Sequence, residues 1–103
     1  MGYLHELLKR RRLYLRKITN QFKREQVILI YDNEPRNEQI VKQIGRSIDL
    51  GFRVVIWPEK IQVKDINDMI KTGLSEPELE SIIYNNTFTG IRAKFQFNLW
   101  KRV

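Results

Sequence analysis

The sequence predicts an α/β fold in which a parallel sheet follows a basic N-terminal helix. Two runs rich in β-branched residues, 27–31 and 53–57, end abruptly at polar residues or proline, which is typical of strands buried on both faces of a parallel sheet. A stripe of isoleucine and valine at helical spacing separates these runs. The first 26 residues hold eight of the 19 Lys and Arg residues. We therefore divide the chain into a basic helix, 1–26, and an α/β portion, 27–103.

Length and composition exclude several classes of protein. A chain of 103 residues has room for one compact domain, and 42% hydrophobic with 30% charged residues excludes wholesale disorder. The absence of cysteine excludes disulfide scaffolds, thiolate zinc sites and cysteine nucleophiles, and a single histidine, His5, excludes a two-histidine metal site. No apolar run reaches the roughly 20 residues that cross a bilayer. We expect a soluble, cytoplasmic protein with no membrane contact.

The net charge of +7 is unevenly distributed. Residues 1–26 carry +6, residues 27–91 carry −3, and residues 92–103 carry +4. The basic ends are suited to a polyanionic partner. The acidic residues in the centre indicate that a positively charged group is bound there as well. A divalent cation between carboxylates and phosphates would satisfy both parts of this pattern.

The first element in chain order is a helix over residues 4–22. Its apolar residues recur at spacings of three, four and seven: Leu4, Leu8, Leu15, Ile18 and Phe22. The basic residues cannot all share this stripe, so they form either a solvated face or a phosphate-binding surface. The residues assigned to nucleic-acid binding in this helix are Arg10, Arg11, Arg12, Arg16 and Lys17.

A strand–helix–strand unit follows. After the strand at residues 27–31, Pro35 suits the first turn of a helix and Gly51 lies beyond its end; one stripe of the helix contains Ile40, Val41, Ile44 and Ile48. The strand at residues 53–57 stops at Pro58. Such a unit packs with its strands parallel, and open parallel sheets bind ligands beyond the carboxyl ends of the strands.

For the last third of the chain, the sequence predicts two helices, followed by a C-terminal tail of alternating apolar and polar residues. A short helix over residues 65–72 is stopped by Gly73, and a second begins at the capping box formed by Ser75 and Glu78 and closes near residues 85–86. In the tail, apolar and polar residues alternate strictly; the apolar ones are Ile91, Ala93, Phe95, Phe97 and Leu99. This period favours a strand, with a helix as the alternative.

The first candidate site follows the first strand. Asp32 and Glu34 stand two positions apart, so their carboxylates can converge on one cation while Asn33 points aside. Oxygen ligands without His or Cys favour Mg²⁺ or Mn²⁺ over zinc. The alternative is that one of these acids merely caps the helix that follows.

The second candidate site is the stretch Lys-Asp-Ile-Asn-Asp at residues 64–68. Asp65 and Asp68 are three positions apart and share a helical face. Asp65 is either a helix N-cap or a third acid delivered beside the first pair. Arg36 and Lys64 stand next to these acids and either bind a phosphate or only balance charge.

Together these motifs resemble part of the Toprim family, the metal-binding cores of primases, topoisomerases and some nucleases. The resemblance lies in an apolar strand followed by Asp-Asn-Glu-Pro-Arg-Asn at 32–37, a downstream Trp-Pro at 57–58, and Lys-Asp-Ile-Asn-Asp-Met at 64–69. It is most specific for the later part of the catalytic domain in primases of T-even-type phages and covers about residues 25–102.

The resemblance implies a partial Toprim-like, Rossmann-like fold and Mg²⁺-dependent synthesis of RNA primers on single-stranded DNA. Asp32 and Glu34 match the catalytic Asp-x-Asp metal position, with glutamate in place of the second aspartate, and Asp65 and Asp68 match the third acidic element. The predicted nucleic-acid contacts in this part of the chain are Arg36, Lys64, Lys101 and Arg102.

One departure from the family affects the expected activity. Toprim domains have an earlier strand that ends in a glutamate, whereas the residues before Val27 predict a basic helix, and a cysteine-based zinc module is absent. The resemblance therefore implies a second chain carrying the N-terminal half of a primase, with nucleotides and a replicative helicase as further partners. Two alternatives stay open: a non-catalytic module that binds nucleic acid or a replication protein, and an unrelated α/β domain.

Overall fold

A computed structural model describes residues 27–103, which contain three strands and four helices. The predicted basic helix over residues 4–22 lies outside the described residues. No helix among residues 27–103 has the length and apolar character required to cross a membrane. The chain is α/β, as the sequence predicts; its elements in order are β1 (Ile28–Leu29), α1 (Glu38–Asp49), β2 (Arg53–Val55), α2 (Ile66–Lys71), α3 (Glu76–Asn85), β3 (Thr87–Phe88) and α4 (Gly90–Trp100).

The sheet has the order β1-β2-β3 and is mixed: it contains the predicted parallel pair and a third, antiparallel strand that the prediction did not include. β1 and β2 are parallel, with Leu29 opposite Val54, which confirms the strand–helix–strand unit. β3 runs antiparallel to β2 and places Phe88 opposite Val54. The backbone N–H of Ile56 donates to the carbonyl of Asn86 at 3.0 Å. The pairing with the β2 segment therefore begins at the residue that ends α3. A strand of two residues after a helix leaves no periodic signal in the sequence.

Alternate residues of the two parallel strands enter two cores on opposite faces of the sheet. Leu29 and Val54 face α1 and α4, together with Ile44, Phe52 and Phe97. The other core, beneath α2 and α3, includes Ile28, Val55, Trp57, Met69 and Ile83. Burial on both faces explains why the strands are continuously apolar instead of alternating.

The N-cap of α1 is Asn37, whose side-chain Oδ1 accepts hydrogen bonds from the backbone N–H groups of Gln39 and Ile40. Pro35 therefore lies two residues before the N-cap, and its predicted place in the first turn is wrong, because asparagine caps a helix by accepting these bonds. At the other end, Gly51 follows the C-cap with a φ of 87°, a left-handed conformation that favours glycine.

The predicted signals of α2 and α3 are confirmed. Asp65 caps α2, and Gly73, with a φ of 109°, follows its C-cap. α3 begins with the full capping box, in which Ser75 and Glu78 bond to each other's backbone N–H. The hydrogen bonds from Ser75 lower the pKa of the Glu78 carboxyl, because they favour its ionised form.

The tail is a helix, α4, so the strand that its alternation favours is wrong and the helical alternative is confirmed. On a helix, a period of two places apolar residues on two opposite faces. Ala93 and Phe97 lie on the inner face and are buried, and Trp100 packs against the same core. The remaining apolar residues, Ile91, Phe95 and Leu99, are exposed on the outer face.

Candidate functional site at the carboxyl end of the sheet

The two acidic motifs meet beyond the carboxyl ends of β1 and β2. Because these strands are parallel, the segments that follow them leave the sheet at the same edge. The backbone N–H of Asn33 donates to the carbonyl of Lys64 at 2.6 Å. The turn that carries Asp32 and Glu34 therefore touches the loop that leads into Asp65, which is the adjacency that the sequence predicts.

Asn33 is the centre of this arrangement, although the sequence placed its side chain aside. Its Nδ2 donates to the carbonyls of Ile61 at 2.8 Å and Val63 at 3.1 Å. Its Oδ1 accepts from the indole Nε1 of Trp100 at 2.9 Å. One half-buried amide thus binds the β1 turn, the loop after β2 and the end of α4 together. The sequence carries no local signal for this role, because the partners of Asn33 lie 28 to 67 positions further along the chain.

The other tryptophan also donates to the segment after β1. Trp57 Nε1 donates to the carbonyl of Tyr31 at 2.9 Å. The Tyr31 hydroxyl, in turn, hydrogen-bonds to Ser47 Oγ at 2.7 Å. Burial raises the pKa of the Tyr31 phenol, and its hydrogen bond with Ser47 opposes this rise only in part. These contacts fix the backbone immediately before Asp32.

Asp32 and Glu34 are both half-buried on this turn. Neither side chain caps α1, because Asn37 does so; the capping alternative for these two acids is therefore wrong. Glu34 Oε1 lies 3.9 Å from Lys64 Nζ, with 26% of the Glu34 side chain and 59% of the Lys64 side chain exposed. An ion pair of this length and exposure contributes little to stability.

The second acidic motif has a structural task of its own. Asp65 Oδ1 accepts from the backbone N–H of Asp68 at 2.9 Å, which makes Asp65 the N-cap of α2 and confirms that alternative. Asp68 lies in the first turn of the same helix. Across residues 27–103, no three His, Cys, Asp or Glu side chains lie close enough together to share a metal ion.

If this edge of the sheet holds a metal ion, Asp32 and Glu34 are the carboxylates on the turn after β1 that could bind it. Mg²⁺ in phosphoryl-transfer sites is commonly held by one or two carboxylates, with water and substrate phosphates completing its coordination. Asp32 and Glu34 supply that number of hard oxygen ligands on one turn. Asp65 could join them only if its hydrogen bond to the backbone N–H of Asp68, which caps α2, were broken.

Two of the predicted phosphate-binding residues, Arg36 and Arg102, lie on or against the acidic turn. Arg36 is exposed on the turn after Glu34. The backbone N–H of Arg102 donates to the carbonyl of Pro35 at 2.7 Å, so the chain after α4 lies against the acidic turn. Lys101 Nζ lies 5.1 Å from the centre of the Phe97 ring, and Arg102 Nη1 bonds to three carbonyls at the end of α4. The basic residues predicted in the segment 1–26 lie outside the described residues.

Comparison with known proteins relates part of the chain to a phage protein. No protein-family model matches the sequence. The chain is 31% identical over 78 residues to a protein described as DNA primase from Enterobacteria phage T4. The alignment covers 74% of this chain but only 23% of the phage protein. The chain therefore contains a region related to a phage primase and spans less than a quarter of that relative's length.

Proposed function

We propose that this chain is the later part of a Toprim-type catalytic domain that acts in Mg²⁺-dependent synthesis of RNA primers on single-stranded DNA. The observation that carries the proposal is the junction built by Asn33, which holds the turn bearing Asp32 and Glu34 against the loop that ends at Asp65. The 31% identity to T4 DNA primase supports the same assignment.

In this proposal Asp32 and Glu34 hold the metal ion. Asp65 would join them only if its side chain left the N-cap of α2, and Asp68, in the first turn of α2, is a further candidate ligand. When bound, Mg²⁺ would neutralise the triphosphate and activate the attacking hydroxyl. Arg36 and Lys64 would bind phosphate oxygens beside the carboxylates. Lys101, Arg102 and the basic segment 1–26 would follow the nucleic-acid backbone. Further catalytic residues would come from a second polypeptide that resembles the rest of a primase.

The proposed setting is the cytoplasm of a host cell, with single-stranded DNA, nucleotides and a replicative helicase as partners. The engagement of Asp65, the expected third acid, as the N-cap of α2 favours a second candidate function. In that alternative the chain is a non-catalytic accessory module that binds nucleic acid through the same basic residues. The two candidates differ in whether Asp32 and Glu34 bind a metal ion.

A titration of the full chain with Mn²⁺, followed by NMR, distinguishes the two candidates. Paramagnetic broadening should begin at the amides of Asp32, Asn33 and Glu34, and Mg²⁺ should compete it away. Glu34→Gln should weaken Mn²⁺ binding about tenfold, because it removes one of two charged ligands. Glu80→Gln, at an exposed position on α3, is the matched control and should have no effect. Equal broadening at Glu80 and Glu34 would eliminate the catalytic candidate.

A further inference from the structure

The outer face of α4 carries an apolar stripe that the fold does not use. Ile91, Phe95 and Leu99 are 86%, 62% and 58% exposed. Their spacing of four places them one above another on the helix, over a length of roughly 12 Å. Contiguous apolar side chains on a surface mark interaction sites, whereas single exposed ones are ordinary.

The stripe does not stabilise the domain by burial. The inner face of α4 already packs on the sheet through Ala93 and Phe97, and Trp100 is held by its bond to Asn33. Polar residues could therefore replace the outer three without opening the core. An amphipathic helix needs one apolar face to dock on its own domain. α4 has a second, which is suited to another helix.

The charges around the stripe define what can cover it. At about 100° per residue, Arg92 flanks the stripe on one side and Lys94 on the other. Residues 86–103 contain four basic residues and no acidic one. Asp49 Oδ1 lies 3.9 Å from Lys94 Nζ, and both side chains are about two-thirds exposed, so their pairing neutralises little of this charge.

We infer that the outer face of α4 binds an acidic amphipathic helix of a partner protein. Apolar side chains of that helix, spaced by three and four, would cover Ile91, Phe95 and Leu99, and its flanking Asp or Glu residues would meet Arg92 and Lys94. This inference is independent of the proposed function.

Other occupants match the stripe less well. The chain's own segment 1–26 has apolar residues at helical spacing, but it carries +6 and would bring like charges together. Single-stranded DNA would neutralise the cations, yet nucleobases stack on aromatic rings, and two of the three stripe residues are aliphatic.

The test uses the full chain and a fluorescent synthetic helix of about 20 residues, with leucines on one face and glutamates beside them. A twin peptide carries lysine in place of every glutamate. Fluorescence anisotropy should show binding of the glutamate peptide and none of its twin. Leu99→Gln should weaken binding about tenfold. Arg92→Glu should weaken binding of the glutamate peptide and create binding of the twin. Ile70→Gln, at a 46% exposed position on α2, is the control and should change nothing.

Four results would overturn the inference. One is equal binding of both peptides, and another is an equal effect of Leu99→Gln and Ile70→Gln. A third is binding of oligo(dT) or phosphatidylglycerol vesicles, in preference to the glutamate peptide, that depends on the stripe. The last is contact of Phe95 with side chains of residues 4–22 in the free chain, detected by nuclear Overhauser effects. Circular dichroism of each variant should match that of the parent, because the substituted side chains are exposed.

Discussion

Replacing Asn33 by alanine tests whether one amide holds the two acidic motifs together. The substitution removes two bonds to the carbonyls of Ile61 and Val63 and one from the indole of Trp100. At about 1 kcal/mol net for each bond, we expect the free energy of unfolding to fall by about 2–4 kcal/mol. Domains of this size are stable by about 5–15 kcal/mol, so a large share of the total would be lost.

Urea denaturation followed by tryptophan fluorescence measures this loss, because Trp57 and Trp100 pack against the two cores and become exposed on unfolding. Asn98→Ala, at an exposed position on α4, is the control and should change stability by less than about 0.5 kcal/mol. Trp100→Phe should cost about 1 kcal/mol, and the double variant less than the sum of the two, since they share a bond. An Asn33→Ala loss no greater than that of Asn98→Ala would show that the junction does not depend on this side chain.

Two further predictions concern the core on the α1 and α4 side. The raised pKa of Tyr31 means that its stabilising contribution is complete below the unfolded value, near pH 10, and is lost as the pH rises through the folded value. Tyr31→Phe should cost about 1 kcal/mol at neutral pH and reduce this alkaline loss in urea titrations; an unchanged alkaline loss would contradict the assignment. A Cβ atom added at Gly45 would lie 3.4 Å from the Phe97 ring. Gly45→Ala should therefore alter the melting temperature little, because helix propensity offsets the tight contact, whereas Gly45→Leu should cost about 1–3 kcal/mol. Equal melting temperatures for these two variants would refute a close approach of α1 and α4.

Elements with local chemical signals could be predicted from the sequence almost to the residue. The box at Ser75 and the glycines that follow α1 and α2 act within one helical turn, so their effect is visible in a short window. β3 carries no such signal, because its two residues form a strand only through their hydrogen bonds to the edge of β2. The error at α4 has a similar origin: the alternation reflects two helical faces, one of which lacks a partner among the described residues.

The candidate site divides in the same way. That Asp32 and Glu34 would lie near the Lys64–Asp65 loop follows from parallel strands and could be predicted. The part played by Asn33 could not, since its partners come from a loop and from a helix far along the chain. The capping role of Asp65 stood as an alternative, and only the distance from its Oδ1 to the Asp68 amide decided it.

The hydrogen bond between Asn33 and Trp100 joins residues 67 positions apart, so it can form only late in the synthesis of the chain. On the ribosome, the acid-bearing turn emerges long before the indole that completes it. Closing so long a loop costs entropy that only the finished helix can offset. In a nascent chain, Asp32 and Glu34 therefore lie on a turn that Trp100 does not yet hold. A ligand that needs this turn in its final position can bind only after α4 has been made.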